Sequence, residues 1–201
     1  MTDIWTTEAW SHTSTPTKTK LLNLNKKETI DIQLYYRLKC RVPQLAKLYR
    51  VPKLHKPNIT MLPIISFCGS PTYQLFKHFT SIFKPLIDES RHKLQFTENF
   101  IDAINTIQVP DDHELVTFHV KLLFTTSTCP WLQTAVTRSS YHPPLATHDL
   151  MDLLHRCLTS VYCQHNGKRY KQLRWTAMGS PVSVVAAEIG RQNIEEQALA
   201  T

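Results

Sequence analysis

Four histidine and cysteine side chains in the last quarter of the chain have the donor atoms of a zinc site: His155, Cys157, Cys163 and His165. Structural zinc sites draw their ligands from closely paired cysteines or histidines, with spacings such as CxxC or HxxxH. These four residues contain no such pair. We therefore interpret Cys157 and Cys163 as core side chains, and we expect no metal site here.

Two adjacent carboxylates, Asp111-Asp112, have the oxygen atoms that Mg²⁺ prefers. They follow Pro110 and precede an apolar stretch, a composition typical of a turn that leads into a strand. The next dipeptide, His113-Glu114, lacks the second histidine of the HExxH zinc motif, because Thr117 occupies that place. The sequence therefore indicates a turn at this point rather than a catalytic pair.

The composition is that of a basic, globular chain. Hydrophobic residues make up 42% of the 201 positions, enough to bury a core, which excludes a chain disordered throughout. Lysine and arginine number 23 against 16 acidic residues, so the net charge is +7. This charge favours a polyanionic partner, although a merely solvated basic surface would give the same count.

The cysteines are five, an odd number, and neither a signal peptide nor a long apolar run accompanies them. We therefore expect an intracellular protein with reduced thiols and no membrane partner. Nuclear and cytoplasmic locations are not distinguished, and the oligomeric state is left open.

The chain divides into a lead-in and a domain. Residues 1–20 are rich in threonine and serine, so we expect a loosely ordered segment before an ordered domain at residues 21–201. From Arg41 to Ser66, four prolines among basic residues predict an extended arm of edge strands and turns. Ser70-Pro71 predicts the start of a helix whose apolar residues recur at helical spacing: Leu75, Phe76, Phe79, Ile82, Phe83 and Leu86.

The later elements show no regular strand-helix-strand order. The pattern predicts a helix from Thr97 to about Ile107, a buried strand from Glu114 to Phe124, and a helix capped by Thr147. Asn166-Gly167 lies between two strand-like runs and predicts a type I′ hairpin, while Ser180-Pro181 predicts the start of a final helix. This interleaving favours an α+β fold over a doubly wound parallel sheet.

Four segments, in this order, resemble the reverse transcriptase domain of Penelope-like retroelements, and the similarity extends more thinly from Arg41 to Leu199. Each segment alone is common, but their order and spacing together indicate this family. They are LYRVPKLHKPNITMLPIIS (Leu48 to Ser66), GSPTYQLFKHF (Gly69 to Phe79), FHVKLLFT (Phe118 to Thr125) and GKRYKQLRWTAMGSPVSVVAAEI (Gly167 to Ile189).

The resemblance implies a partial right-hand polymerase fold, with fingers and part of the palm, and with the thumb absent. It implies that Phe118 to Thr125 is a central palm strand and that the Asn166-Gly167 hairpin precedes a template-facing loop. The implied activity is RNA-directed DNA polymerisation, with an RNA or DNA template-primer as partner and Mg²⁺ as cofactor.

The implied metal site departs from the family pattern. The family reaction uses two Mg²⁺ ions held by an aspartate in Phe-Asp-Val and by a Tyr-x-Asp-Asp turn further along the chain. His119 occupies the first position, and the sequence ends at Thr201 before the second motif. Because imidazole nitrogen is a poor ligand for Mg²⁺, we expect no bound metal and no polymerase activity.

The resemblance assigns the other site residues as well. Lys53 corresponds to a fingers lysine that would meet the incoming triphosphate, and Phe124 to the aromatic residue that excludes a ribose 2′-hydroxyl. On residue type alone, a solvated lysine, a core phenylalanine and a structural turn remain open. Template and incoming base would face Gln172, Ala177, Met178, Gly179 and Ser180, and the basic arm would bind nucleic acid through Arg41, Lys47, Arg50 and Lys56.

Two further positions differ from the family. Leu62 stands where the family has an arginine that could bind phosphate, and Trp175 stands where it has a glycine. The sequence thus favours a truncated, inactive reverse transcriptase domain. The alternatives are a non-enzymatic nucleic-acid-binding protein with the same fold, and a structural module with no preference for nucleic acid.

Overall fold

A computed structural model describes residues 5–6, 15–54, 59–88, 96–117, 128–140, 142–173 and 176–199. These residues combine helices with one sheet, so the expected mixture of helix and strand is confirmed. The elements are β1 (Trp5–Thr6), α1 (Thr15–Lys26), α2 (Ile32–Leu38), β2 (Ala46–Lys53), β3 (Thr60–Ser66), α3 (Tyr73–Asp88), α4 (Thr97–Thr106), α5 (Thr128–Arg138), α6 (Thr147–Thr159), β4 (Tyr162–His165), β5 (Lys168–Gln172) and α7 (Pro181–Leu199).

The strands form one mixed sheet in the order β1-β5-β4-β2-β3. Two antiparallel hairpins, β2–β3 and β4–β5, are joined by a parallel contact in which Ala46 pairs with Cys163 and Lys47 with Gln164. The arm predicted from Arg41 to Ser66 therefore becomes a hairpin of the sheet. Pro63 fits because β3 is the last strand of the described sheet, where an absent backbone donor costs no ladder bond on the outer side.

The core lies between one face of the sheet and the helices. The predicted apolar face of α3 is confirmed, since Leu75, Phe76, Phe79, Ile82, Phe83 and Leu86 are all buried. Helix α6 adds Leu150, Leu153 and Leu154, and the sheet adds Ala46, Ile65 and Cys163. A single continuous core therefore holds the sheet to the helices.

Several local predictions are confirmed. Asn166 and Gly167 both have positive φ, 49° and 75°, which is the backbone of a type I′ turn, and His165 pairs with Lys168 across it. Helix α4 starts at Thr97 and α7 starts at Pro181.

Other boundaries differ. Helix α1 begins at Thr15, ahead of the predicted start near residue 21, because Thr17, Leu21 and Leu24 share a buried face. Its Lys20 ammonium bonds the carboxylates of Asp149 and Asp152 on α6, at 2.6 and 3.0 Å. The N-terminal helix is thus anchored by both apolar and charged contacts.

Three further corrections concern element ends. Helix α3 begins at Tyr73, whose amide bonds the Ser70 carbonyl in a turn, and Thr147 is the first helical residue of α6 because Ala146 takes the cap position. Residues 114–117 are exposed and not in a strand. The rest of the strand predicted from Glu114 to Phe124 lies outside the described residues.

Candidate nucleic-acid interface

The pairing of β2 with β4 separates the two faces of the sheet. Ala46 and Cys163 are partners and are both buried, so their side chains lie on the face that packs against the helices. The next pair, Lys47 and Gln164, is exposed. Because successive side chains of a strand alternate between faces, Lys47 and Gln164 lie on the opposite face.

The register shows which residues of the other strands lie on this second face. Tyr49 pairs with Ile64, Val51 with Leu62, and Arg169 with Gln164. Paired residues share a face. We call this surface the open face and define it by these residues: Lys47, Tyr49, Val51 and Lys53 of β2, Leu62 and Ile64 of β3, Tyr162 and Gln164 of β4, and Arg169 and Lys171 of β5.

The open face is positively charged. It carries four cations, Lys47, Lys53, Arg169 and Lys171, and none of its defining residues is acidic. The Lys171 ammonium lies 5.7 Å from the centroid of the Tyr162 ring, whereas Lys47, Lys53 and Arg169 make no ion pair with any other described residue. Like charges gathered on one surface produce a field that attracts a polyanion.

Aromatic rings accompany the cations. Tyr49 is 47% exposed between Lys47 and Lys53 on the same face, and Tyr162 is half-buried under Lys171. A flat base can stack on an exposed tyrosine ring while nearby cations contact its phosphates. Cations and rings on one sheet face form a surface suited to single-stranded nucleic acid.

The turn before α7 closes the outer edge of β3. The Ile65 amide donates to the Met178 carbonyl oxygen at 2.9 Å. In this turn Ala177 and Ser180 are buried, Met178 is half-buried and Gly179 is exposed. Of the predicted template-facing turn, Met178 and Gly179 are therefore the accessible members, and they lie at the edge of the open face beside Ile64.

Some predicted site residues lie elsewhere. Gln172 is 5% exposed and belongs to the core face of β5, so it is not part of the open face. Arg50 lies on the face of β2 opposite to Lys47 and Tyr49. Arg41 is exposed and precedes β2. The predicted site residues Lys56, His119 and Phe124, and the substituted position Trp175, lie outside the described residues.

The pattern in β5 could have revealed more of the face. The sequence Lys168 to Gln172 alternates around Arg169 and Lys171 directly after the hairpin turn. With period two, those cations share one side. The sequence alone does not predict Arg169 and Lys171 as site residues, because a two-residue period does not show which side of the strand faces the core.

The other residues considered for chemistry lie in an exposed turn and in the core. Asp111-Asp112 forms an exposed turn, in which the His113 amide bonds the Pro110 carbonyl at 3.0 Å, as predicted. Cys157 and Cys163 are buried, and burial raises the pKa of the Cys163 thiol to about 12. Among described residues, no group of His, Cys, Asp and Glu side chains could hold a metal ion.

Two broader observations complete the description. No described helix has both the length and the apolar composition needed to cross a membrane. Searches against protein-family models and against curated proteins find no match to the chain.

Proposed function

We propose that the chain is a reverse transcriptase domain of the Penelope-like type, inactive as a polymerase, that binds nucleic acid through the open face. The observation that carries the proposal is the sheet register, which puts four cations and the rings of Tyr49 and Tyr162 on the face away from the core: Lys47, Lys53, Arg169 and Lys171. Phosphates would contact the cations, and a base would stack on the ring.

The placement of the resembling segments supports the polymerase origin. The first and fourth segments meet through the hydrogen bond from Ile65 to Met178. The second segment begins at the turn after β3, where the rings of Phe67 and Phe76 contact edge to face with centroids 5.3 Å apart. Parts of three of the four segments thus lie close together at the outer edge of β3, which supports a common nucleotide-binding origin.

Lys53 and Leu62 support the loss of polymerase activity. Both lie on the open face, two residue pairs apart in the β2–β3 register: Lys53 pairs with Thr60, and Leu62 pairs with Val51. The family would place an arginine beside the lysine to bind a triphosphate, but Leu62 has no polar side-chain atom. His119 stands in place of the metal-binding aspartate, so the chain has neither the arginine nor the aspartate of the family pattern at these two positions.

The non-enzymatic binding protein remains the second candidate, because the basic face does not require those lost ligands. In that case nucleic-acid binding is the protein's own function. In an inactive polymerase domain, binding would instead be what remains of the earlier activity. Both differ from a purely structural module, which would show no preference for nucleic acid.

The test is a fluorescence anisotropy titration with single-stranded and double-stranded oligonucleotides of mixed sequence at low salt. We expect weak binding, with preference for the single strand and little dependence on sequence. Since each phosphate contact to a single strand contributes about 0.7 to the slope of log affinity against log salt, Lys47→Gln with Arg169→Gln should lower that slope by about 1.4.

The matched control is Lys77→Gln with Lys84→Gln, which removes the same charge from the exposed side of α3. This control should lower affinity only slightly and leave the slope unchanged. Absence of binding by the unmodified chain at low salt would contradict the proposal, as would equal effects of the two double variants.

A further inference from the structure

Helix α4 carries an apolar surface that the described part of its own chain does not cover. Phe100 and Ile101 are 50% and 48% exposed, and the helix has no buried residue. A ten-residue helix in water is marginal without packing on its apolar side. Its exposed apolar side chains therefore indicate a surface that becomes covered.

The residues that follow α4 extend this surface. Residues 107–117 form no helix or strand, and they expose further large apolar side chains. We call residues 96–117 the acidic segment. Its exposed large apolar residues are Phe96, Phe100, Ile101, Ile107, Val109, Leu115 and Val116.

The acidic segment differs in charge from the rest of the chain. It contains five carboxylates and neither lysine nor arginine, so it carries −5. Since the whole chain carries +7, the remaining residues carry +12. The carboxylates belong to Glu98, Asp102, Asp111, Asp112 and Glu114.

We propose that the acidic segment of one molecule docks on the open face of a second copy of this chain. The two surfaces have opposite charge, and each has uncovered apolar side chains, such as Phe100 on α4 and Tyr49 and Val51 on β2. Complementary charge together with apolar contact distinguishes a specific docking surface from a merely solvated one.

The dimensions of the two surfaces match. Helix α4, with ten residues, is about 15 Å long, and β2 from Lys47 to Lys53 extends about 20 Å. A helix laid along β2 would place its apolar side on Tyr49 and Val51. Its carboxylates, such as Asp102, would then reach the lysines at the two ends of the strand.

The same cations would serve nucleic acid and the acidic segment, so the two partners would compete. If each molecule offers its segment to the other, the contact is reciprocal and closes as a twofold dimer. The docking uses the open face but does not depend on nucleic-acid binding. It can therefore be measured with no oligonucleotide present.

The test is sedimentation velocity of the full 201-residue chain at low salt over a wide range of protein concentration. We expect a monomer–dimer equilibrium that weakens as salt is added, because the attraction between the two surfaces is screened. A single-stranded oligonucleotide in excess should dissociate the dimer. A chain that stays monomeric at all concentrations and low salt would overturn the proposal.

Variants locate the interface. Asp102→Lys, on the exposed side of α4, should raise the dimer dissociation constant by about tenfold or more. Glu28→Lys is the matched control, since it makes the same charge change in the exposed turn after α1, and it should change the constant by less than about twofold. Phe100→Ala should weaken the dimer without altering the circular dichroism spectrum, because Phe100 is outside the core.

A charge exchange completes the test. Asp102→Lys and Lys47→Glu should each weaken self-association, and an equimolar mixture of the two should recover it, because the reversed charges face each other. A dimer unaffected by Asp102→Lys would place the interface elsewhere and overturn the proposal. So would tighter oligonucleotide binding by Asp102→Lys with no change in mass, which indicates docking within one molecule. A dimer that forms while oligonucleotides fail to bind would support this inference and contradict only the proposed function.

Discussion

The amide of Ile65 donates a hydrogen bond to the carbonyl oxygen of Met178 across 2.9 Å. This bond satisfies a backbone donor on the outer edge of β3, which no strand covers among the described residues. It also fixes the position of Gly179, whose φ is +97°. A side chain at Gly179 would collide with the Ile65 carbonyl oxygen, so only glycine lets the turn approach the strand this closely.

Gly179→Ala should therefore destabilise the protein strongly. The left-handed backbone costs a non-glycine residue about 1–2 kcal/mol, and displacement of the turn from Ile65 should add about 1–3 kcal/mol. We expect the free energy of unfolding, measured by urea denaturation with circular dichroism, to fall by about 2–5 kcal/mol in total.

Gly167→Ala is the matched control for this change. Gly167 has a similar φ of +75°, but a Cβ there would meet no atom within 4 Å. The free energy of unfolding of Gly167→Ala should fall only by the cost of the left-handed backbone, about 1–2 kcal/mol. Equal losses for the two variants would show that the close approach to Ile65 adds no cost.

The local parts of the fold follow from the sequence. The type I′ turn at Asn166-Gly167 depends on two residues that tolerate positive φ, and the buried side of α3 depends on apolar spacing within one helix. Both are short-range properties. The strand order is not, because the parallel contact of β2 with β4 joins residues far apart in the sequence, and no local pattern encodes that pairing.

Gly190 in α7 is a second feature whose role depends on a long-range contact that no local sequence pattern encodes. From the sequence it is only a glycine that weakens a helix by about 1 kcal/mol. In the structure, a Cβ at Gly190 would lie 2.6 Å from the ring of Trp131 on α5. The glycine permits the close packing of α5 on α7, a reason that becomes visible only when the partner helix is known.

The candidate site was predictable in part. The motifs assign Lys53 and the turn at Met178-Gly179 to the site; the structure puts Lys53 at the end of β2 and the turn beside Ile65 on the outer edge of β3. The motifs do not tell that Lys47 lies on the open face and Arg50 on the other face, because the face of each side chain depends on the register of the sheet. For the same reason, the motifs predict a template-facing side chain at Gln172, although this residue lies in the core.

That difference gives a second prediction, made within one strand. Lys47→Gln should weaken oligonucleotide binding about 2- to 10-fold at low salt, whereas Arg50→Gln, on the other face of β2, should have less than a twofold effect. Anisotropy titrations under identical salt conditions measure both. Equal losses would favour binding by the whole basic arm, irrespective of sheet face.

The contact between α1 and α6 predicts a dependence of stability on pH. Burial alone would raise the pKa of the Asp152 carboxyl, but the hydrogen bonds from Lys20 and Arg156 outweigh it and lower the pKa below its usual 3.8. A carboxyl whose pKa is depressed by folding stabilises the native state above the unfolded pKa. This contribution is lost as pH falls through the folded pKa, hence below about pH 4.

Lys20→Met should remove part of this stabilisation, about 1 kcal/mol at pH 7, and flatten the loss of stability below about pH 4. Lys18→Met, an exposed lysine on the same helix, is the control and should leave the pH profile unchanged. Urea denaturation at several pH values measures the profile. A parallel profile for Lys20→Met and the unmodified chain would show that this ion pair does not contribute.

The last prediction concerns repair of the polymerase site that the proposed function implies. His119→Asp restores the carboxylate that the family places on this segment, yet we expect no templated incorporation of nucleotides with Mg²⁺ or Mn²⁺. A two-metal centre requires carboxylates from a second motif, and the 201 residues contain no Tyr-x-Asp-Asp. Leu62 would still offer no group to the triphosphate, and loss of one preorganised transition-state contact typically costs about 10²- to 10³-fold in rate.

Primer extension by His119→Asp should therefore equal that of a no-protein control. The matched composite combines His119→Asp, Leu62→Arg and Trp175→Gly with a grafted segment bearing Tyr-x-Asp-Asp, and activity should return there if anywhere, because the defects affect separate steps and their costs compound. Robust extension by the single variant would mean that a second metal ligand lies within these 201 residues. Asp111 and Asp112 would then be the first to replace with asparagine, although their exposed turn shows no third ligand among the described residues.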